Sequence, residues 1–119
     1  MYHDCCRPYH IGKAQPVTAE KLMRARYSAF FFRLVDYLVS STHPDVRERE
    51  LRAELDDIVD DMMWRSLQIV SKSKGTAEDK KGKVEFIAQY HHDGVLKNIH
   101  ERSRFKKYKG QWKYLDERG

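Results

Sequence analysis

Four groups of residues carry side chains that could do chemistry. The first is His3, Cys5, Cys6 and His10. Zinc prefers thiolate sulfur and imidazole nitrogen in a closed tetrahedral site, so Cys5, Cys6 and His10, with His3 beside them, are candidate metal ligands, although their spacing is not that of a standard finger. The second group is Arg26 and Glu101. Arg26 lies in the apolar stripe of Leu22 and Met23, and Glu101 shares a strand face with Ile99, Ser103 and Phe105. A charge turned into a core needs a partner, so the two are expected to face each other. They would then be a structural ion pair or the floor of a polar pocket.

The third group is Tyr27, His43, Trp64, Tyr90, Trp112 and Tyr114. Such rings either fill an ordinary core or line a small-molecule cavity. His43 is a candidate acid or base because an imidazole titrates near neutrality. Its place before Pro44 gives a simpler account, as a turn residue capping the next helix. His43 and Glu101 are thus the candidate catalytic groups. Arg26, Tyr27, Trp64, Tyr90, Glu101, Arg102, Ser103, Trp112 and Tyr114 are the candidate binding residues. No Ser-His-Asp or Cys-His arrangement is legible, and the glycines form no phosphate-cradling loop.

The fourth group is the basic run Arg102, Arg104, Lys106, Lys107, Lys109 and Lys113, with Tyr108 and Trp112 interleaved. Basic grooves with stacking aromatics bind nucleic acid, and strand alternation puts Arg102, Arg104 and Lys106 on one sheet face. The opposing account is that lysines at hairpin tips and strand edges discourage edge-to-edge pairing.

The elements that position these groups follow from periodicity. Residues 1–17 read as irregular, with Pro8, Gly12 and Pro16 as breakers. Thr18 is placed to cap a helix through Leu22, Met23, Arg26, Tyr27 and Phe30, which ends or bends at Phe30-Phe31-Phe32. A second short helix runs through Val35 and Leu38. His43-Pro44-Asp45 restarts the chain into a third, marked by Leu51, Leu55, Ile58, Val59 and Met62. Beyond Trp64 the period changes to two, as in Val84, Phe86, Ala88 and Tyr90. Asp93-Gly94 and Lys109-Gly110 are hairpin turns, which gives four strands at 64–73, 82–91, 95–107 and 111–116. Helices followed by a meander make an α+β domain, and the sheet must curl around the helices to keep its apolar face dry.

Composition bounds the rest. The chain has 119 residues, a net charge of +5 and 12% aromatic residues, the make-up of one globular domain rather than a disordered tail. Its charge is uneven. Residues 1–62 hold 9 Lys and Arg against 11 Asp and Glu, and residues 63–119 hold 14 against 7, so the second half could face an anionic partner. No apolar run reaches the roughly 20 residues of a membrane helix, and no basic segment leads into an apolar one at the start. Two adjacent cysteines are no disulfide framework, and free thiols fit a reducing cytoplasm.

Several segments also carry a resemblance. They are Cys5-Cys6-Arg7-Pro8-Tyr9-His10, Arg24-Ala25-Arg26-Tyr27-Ser28-Ala29-Phe30, Asp36-Tyr37-Leu38, His43-Pro44, Val84-Glu85-Phe86, His100-Glu101-Arg102-Ser103-Arg104-Phe105 and Gly110-Gln111-Trp112-Lys113-Tyr114-Leu115-Asp116. Together they resemble the YchJ family of small bacterial proteins over residues 5–116. The resemblance implies a nuclear transport factor 2-like (cystatin-like) cone, with N-terminal helices packed on a curved antiparallel four-stranded sheet. It divides the chain into a segment 1–17, the remnant of a SEC-C-like motif, and a domain 18–119. In that motif a Cys-x-Cys-Gly-Ser-Gly run precedes the Cys-Cys pair. Only Cys5-Cys6 is present, so the motif is expected to be truncated and zinc is the one cofactor in view.

The family has no established reaction, and a fold alone does not supply one. The reading that follows is a non-catalytic binding or interaction domain with an unidentified protein or small-molecule partner. One alternative is a small-molecule enzyme of isomerase or hydrolase kind working in the cone cavity. A second is a nucleic-acid-binding module using the basic strand 102–113. No membrane partner is expected, and the protein would be a monomer or a homodimer joined through its sheets.

Overall fold

The computed structural model describes residues 7–117. A short helix, α1 (Arg7–His10), occupies part of the segment expected to be irregular. Pro8 does not break it, because proline in a first turn lacks only an amide that would be unpaired anyway. Helix α2 (Ala19–Phe31) begins at the expected cap. Thr18 is extended, and its hydroxyl accepts the Lys21 amide at 3.1 Å. The helix stops where Arg33 takes a left-handed φ of 61°, and the chain resumes as α3 (Val35–Ser40). A 3-10 turn at Pro44–Val46 precedes α4 (Leu51–Asp61).

Four strands follow: β1 (Met63–Lys74), β2 (Lys81–His92), β3 (Val95–Tyr108) and β4 (Gln111–Asp116). They form one antiparallel sheet in the order β1-β2-β3-β4. Both tight turns are as expected. Asp93 and Gly94 have φ of 53° and 78°, and Lys109 and Gly110 have 51° and 79°, the paired left-handed conformation of a two-residue hairpin turn. At the other end of β2, a side chain on Gly82 would put its Cβ 2.5 Å from Gly75 Cα, so the two strand ends can approach only as glycines.

Register breaks at Trp64/Ser66 and Ile69/Ser71 in β1, and at Arg104/Phe105 between β3 and β4, give the sheet its curl. The concave face packs on α2 through Leu22, Met23, Val84, Phe86, Ala88, Phe105 and Trp112. A second core joins Ala29 of α2 to Val35, Leu38, Leu55 and Val59 of α3 and α4. The β4 edge is covered at its middle. Tyr114 N–H donates to Ser41 O and His43 N–H donates to Tyr114 O, both at 2.8 Å. Among the described residues, no helix is long and apolar enough to cross a membrane.

Candidate functional site

The chemistry-bearing residues fall on two faces of the sheet. On the concave side Arg26 is 6% exposed. One of its terminal nitrogens donates to Leu38 O at 2.9 Å, Ser41 Oγ at 2.7 Å and Thr42 Oγ1 at 3.2 Å. The guanidinium carbon lies 4.5 Å from the centre of the Tyr114 ring, a cation–π contact. Burial lowers the Arg26 pKa to about 10, so the group is charged at neutral pH. The expected partner is not there. Glu101 makes no hydrogen bond or ion pair with Arg26; the turn after α3 supplies the oxygens instead. Burial, and then Glu117, raises the Glu101 pKa above the usual carboxyl range.

Tyr27, Trp64 and Tyr90 come together, but as a packed cluster. Trp64 meets Tyr27 edge-on at 5.9 Å, Phe30 at 5.7 Å and Tyr90 at 5.4 Å. The Trp64 indole nitrogen is buried without an acceptor among the described residues. Burial also raises the Tyr27 pKa. Tyr114 lies on Phe105 at 5.8 Å, and burial raises its phenol as well. Trp112 is buried and donates to Val17 O at 3.2 Å, which fastens the segment leading into α2. Ser103 is buried opposite Val84.

His43 is not gathered with these groups. Its Nδ1 accepts the Asp45 amide at 3.1 Å, and its ring lies 5.6 Å from Tyr108. It caps the 3-10 turn rather than the helix expected to follow it, α4, which begins only at Leu51. No hydrogen bond links His43 to Glu101, so the two candidate catalytic groups do not form a pair. Cys5 and Cys6, like His3, lie outside the described residues. His10 is described, and its Nε2–H donates to Ala25 O at 2.8 Å, which removes that nitrogen from metal ligation. Among the described residues no cluster of His, Cys, Asp and Glu could hold a metal ion.

The convex face is where sequence reasoning looked at half of an arrangement. Arg102, Arg104 and Lys106 do share that face, and the register sets residues of β2 and β4 against them. Arg102 opposes Glu85, whose carboxyl is held low by hydrogen bonds from Ser71 at 2.8 Å and His100 at 2.6 Å. Towards the Gly75–Gly82 end the pattern changes. Lys81 opposes Lys106, Lys83 opposes Arg104, and Lys106 also opposes Lys113. Among the described residues only Arg104 of these has a carboxylate, Asp116, bound by two nitrogens. Lys81, Lys83, Arg104 and Lys106, with Lys74, bound a groove of about 350 Å³ that has Ser73 and Leu115 on its walls, while the Lys113 ammonium donates to Ser40 O at 2.7 Å. Lys81 and Lys83 could have been found by projecting the register of the second strand onto the third.

Comparison with known proteins agrees with this architecture. A family model described as the YchJ middle NTF2-like domain matches residues 18–117. A UPF0225 protein of Bordetella pertussis is 40% identical over 117 residues, 97% of this chain and 84% of its own. A UPF0225 protein of Serratia proteamaculans is 39% identical, with 75% of its length covered. The solution structure of a SEC-C motif containing protein from Rhodopseudomonas palustris superposes with a TM-score of 0.89 at 30% identity, covering 98% of this chain and 89% of that one. A crystal structure of a SEC-C motif containing protein from Psychrobacter arcticus gives 0.81 at 31% identity, covering 98% and 71%. With the family model matched over residues 18–117 and close relatives matched over nearly all of it, the chain belongs to the YchJ family, and the cone its motifs imply is the fold it adopts.

Proposed function

We propose that this domain is a non-catalytic binding module of the bacterial cytoplasm. The observation that carries this reading is that the candidate site residues pack on one another and on the fold's own polar groups. Trp64, Tyr27, Phe30 and Tyr90 pack on one another, and Arg26 spends its charge on Leu38, Ser41, Thr42 and the Tyr114 ring. A small-molecule site needs a concave space with a few polar groups aimed into it. Here the polar groups are consumed by the fold or, like His43 and Glu101, held apart. Binding then falls to the outer surface.

The alternative, a small-molecule enzyme acting within the cone, has two observations on its side. The Trp64 indole N–H lacks an acceptor among the described residues, and burial raises the Glu101 pKa. Amide and indole NMR signals decide between them. A panel of small carbonyl, ester and carboxylate compounds should leave the signals of Tyr27, Trp64, Tyr90 and Glu101 unmoved. Saturable shifts confined to those residues would overturn the binding-module reading in favour of the enzyme.

A further inference from the structure

We infer that the convex groove at the Gly75–Gly82 end of the sheet is a docking surface for a nucleic-acid phosphate backbone. β2 and β3 are the two central strands. Protection of a sheet edge, the ordinary reason for lysines in strands, therefore does not account for Lys81, Lys83, Arg104 and Lys106. Nor are these residues arranged to help the sheet. Like charges directly opposite each other destabilise a strand pair, and here three such pairs are contiguous: Lys81 with Lys106, Lys83 with Arg104, and Lys106 with Lys113. Among the described residues, Lys81, Lys83 and Lys106 have no carboxylate within ion-pairing reach. Farther along the same face the opposite rule holds, because Arg102 sits across from Glu85. Asp116 offsets Arg104 and Ser40 O holds the Lys113 ammonium at 2.7 Å, which leaves Lys81, Lys83 and Lys106 as the cations open to an anion from outside.

The shape and lining say which anion. Alternate residues on one strand face stand about 7 Å apart, so Lys81 and Lys83 on β2 and Lys106 and Arg104 on β3 make two parallel rows. That repeat suits the successive phosphates of an extended sugar–phosphate chain. The groove presents no exposed aromatic ring. Phe105 is buried beneath it, and Trp112 is buried elsewhere. Tyr108, exposed two residues beyond Lys106, lies outside the lining and against His43, so contacts within the groove are to the backbone and independent of sequence. A protein partner fits less well, because protein interfaces centre on aromatic and aliphatic anchors. Of the exposed hydrophobics on the sheet, Met63, Val95 and Leu96 lie at the far end from this groove, while Val70 stands in β1 and Tyr108 at the end of β3.

This inference rests on the domain being a binding module, yet the two fail separately. Fluorescence anisotropy with a labelled, unstructured oligothymidylate tests it. Three cations without a carboxylate partner among the described residues line the groove (Lys81, Lys83 and Lys106), so log affinity should fall against log salt with a slope of about −2. The double variant Lys83→Glu with Lys106→Glu should bind about tenfold more weakly or worse. Its thermal midpoint should hold or rise, because each change turns an opposed like pair into an attractive one. Lys97→Glu, on the same strand but away from the groove, should leave binding within about twofold. Absence of binding at low salt overturns the inference, as does binding indifferent to the double variant. Displacement by polyglutamate as effective as by oligonucleotide would also overturn it and point to an acidic protein. In any of these cases a silent cone interior by NMR would leave the binding-module reading standing.

Discussion

The two faces of the sheet handle positive charge in opposite ways. On the concave face one arginine is buried, and every near neighbour accommodates it: a carbonyl, two hydroxyls and a tyrosine ring. On the convex face the lysines are spread, partly exposed and set against one another. The first arrangement is what a fold does with a charge it needs for itself, since a buried ion must be compensated from within. In the second, Asp116 and Ser40 compensate Arg104 and Lys113 from within, while Lys81, Lys83 and Lys106 are left to solvent or to a partner. Charge satisfied inside the chain marks structure, and charge left over at a central register marks a partner.

The comparison breaks if substitutions on the concave face disturb binding or those on the convex face disturb folding. The largest effect should come from Arg26→Met, which keeps the aliphatic stem but removes the charged donor. It should cost about 3 kcal/mol in urea unfolding while leaving oligonucleotide affinity unchanged in the folded fraction. A folded Arg26→Met protein that no longer binds would erase the distinction between the faces. Next is Gly82→Ala, where the new methyl must push Gly75 aside. Overpacking of this sort costs about 2 kcal/mol, and it should lower the thermal midpoint without altering the salt slope of any binding that remains.

Glu101→Gln should act in the other direction and by less. Because burial raises the folded pKa of Glu101, the folded state binds a proton more tightly than the unfolded one. Its destabilising contribution is therefore absent below the ordinary carboxyl range and grows as pH rises through the folded pKa. The glutamine variant should be more stable than the parent at pH 7 by less than about 1 kcal/mol, since a half-exposed carboxyl is screened by solvent. The difference should vanish near pH 4. Equal stability at both pH values would mean that Glu101 is solvated. The smallest change in stability is expected for Lys83→Glu with Lys106→Glu, within about 0.5 kcal/mol of the parent or above it, although its effect on binding is the largest of the set.

Sequence alone determined the elements of this protein, because the signals that define them are local. Thr18 caps its helix through an amide three residues away, and Asp93-Gly94 and Lys109-Gly110 turn the chain within two residues. The alternation of Val84, Phe86 and Ala88 marked the buried face of β2, and no strand end lies more than one residue from its expected place. The motifs carried the family as well. What the sequence could not specify were partners set by geometry between distant segments. Arg26 and Glu101 both face inward, yet the turn after α3 delivers Leu38, Ser41 and Thr42 to the arginine first. Trp112, read beside the basic run as a stacking platform, is turned into the core by the alternation of β4. Lys81 and Lys83 entered the groove only through the β2–β3 register, which sets them against Lys106 and Arg104. A period can place a side chain on a face, but only the packed sheet decides which charge stands across from it.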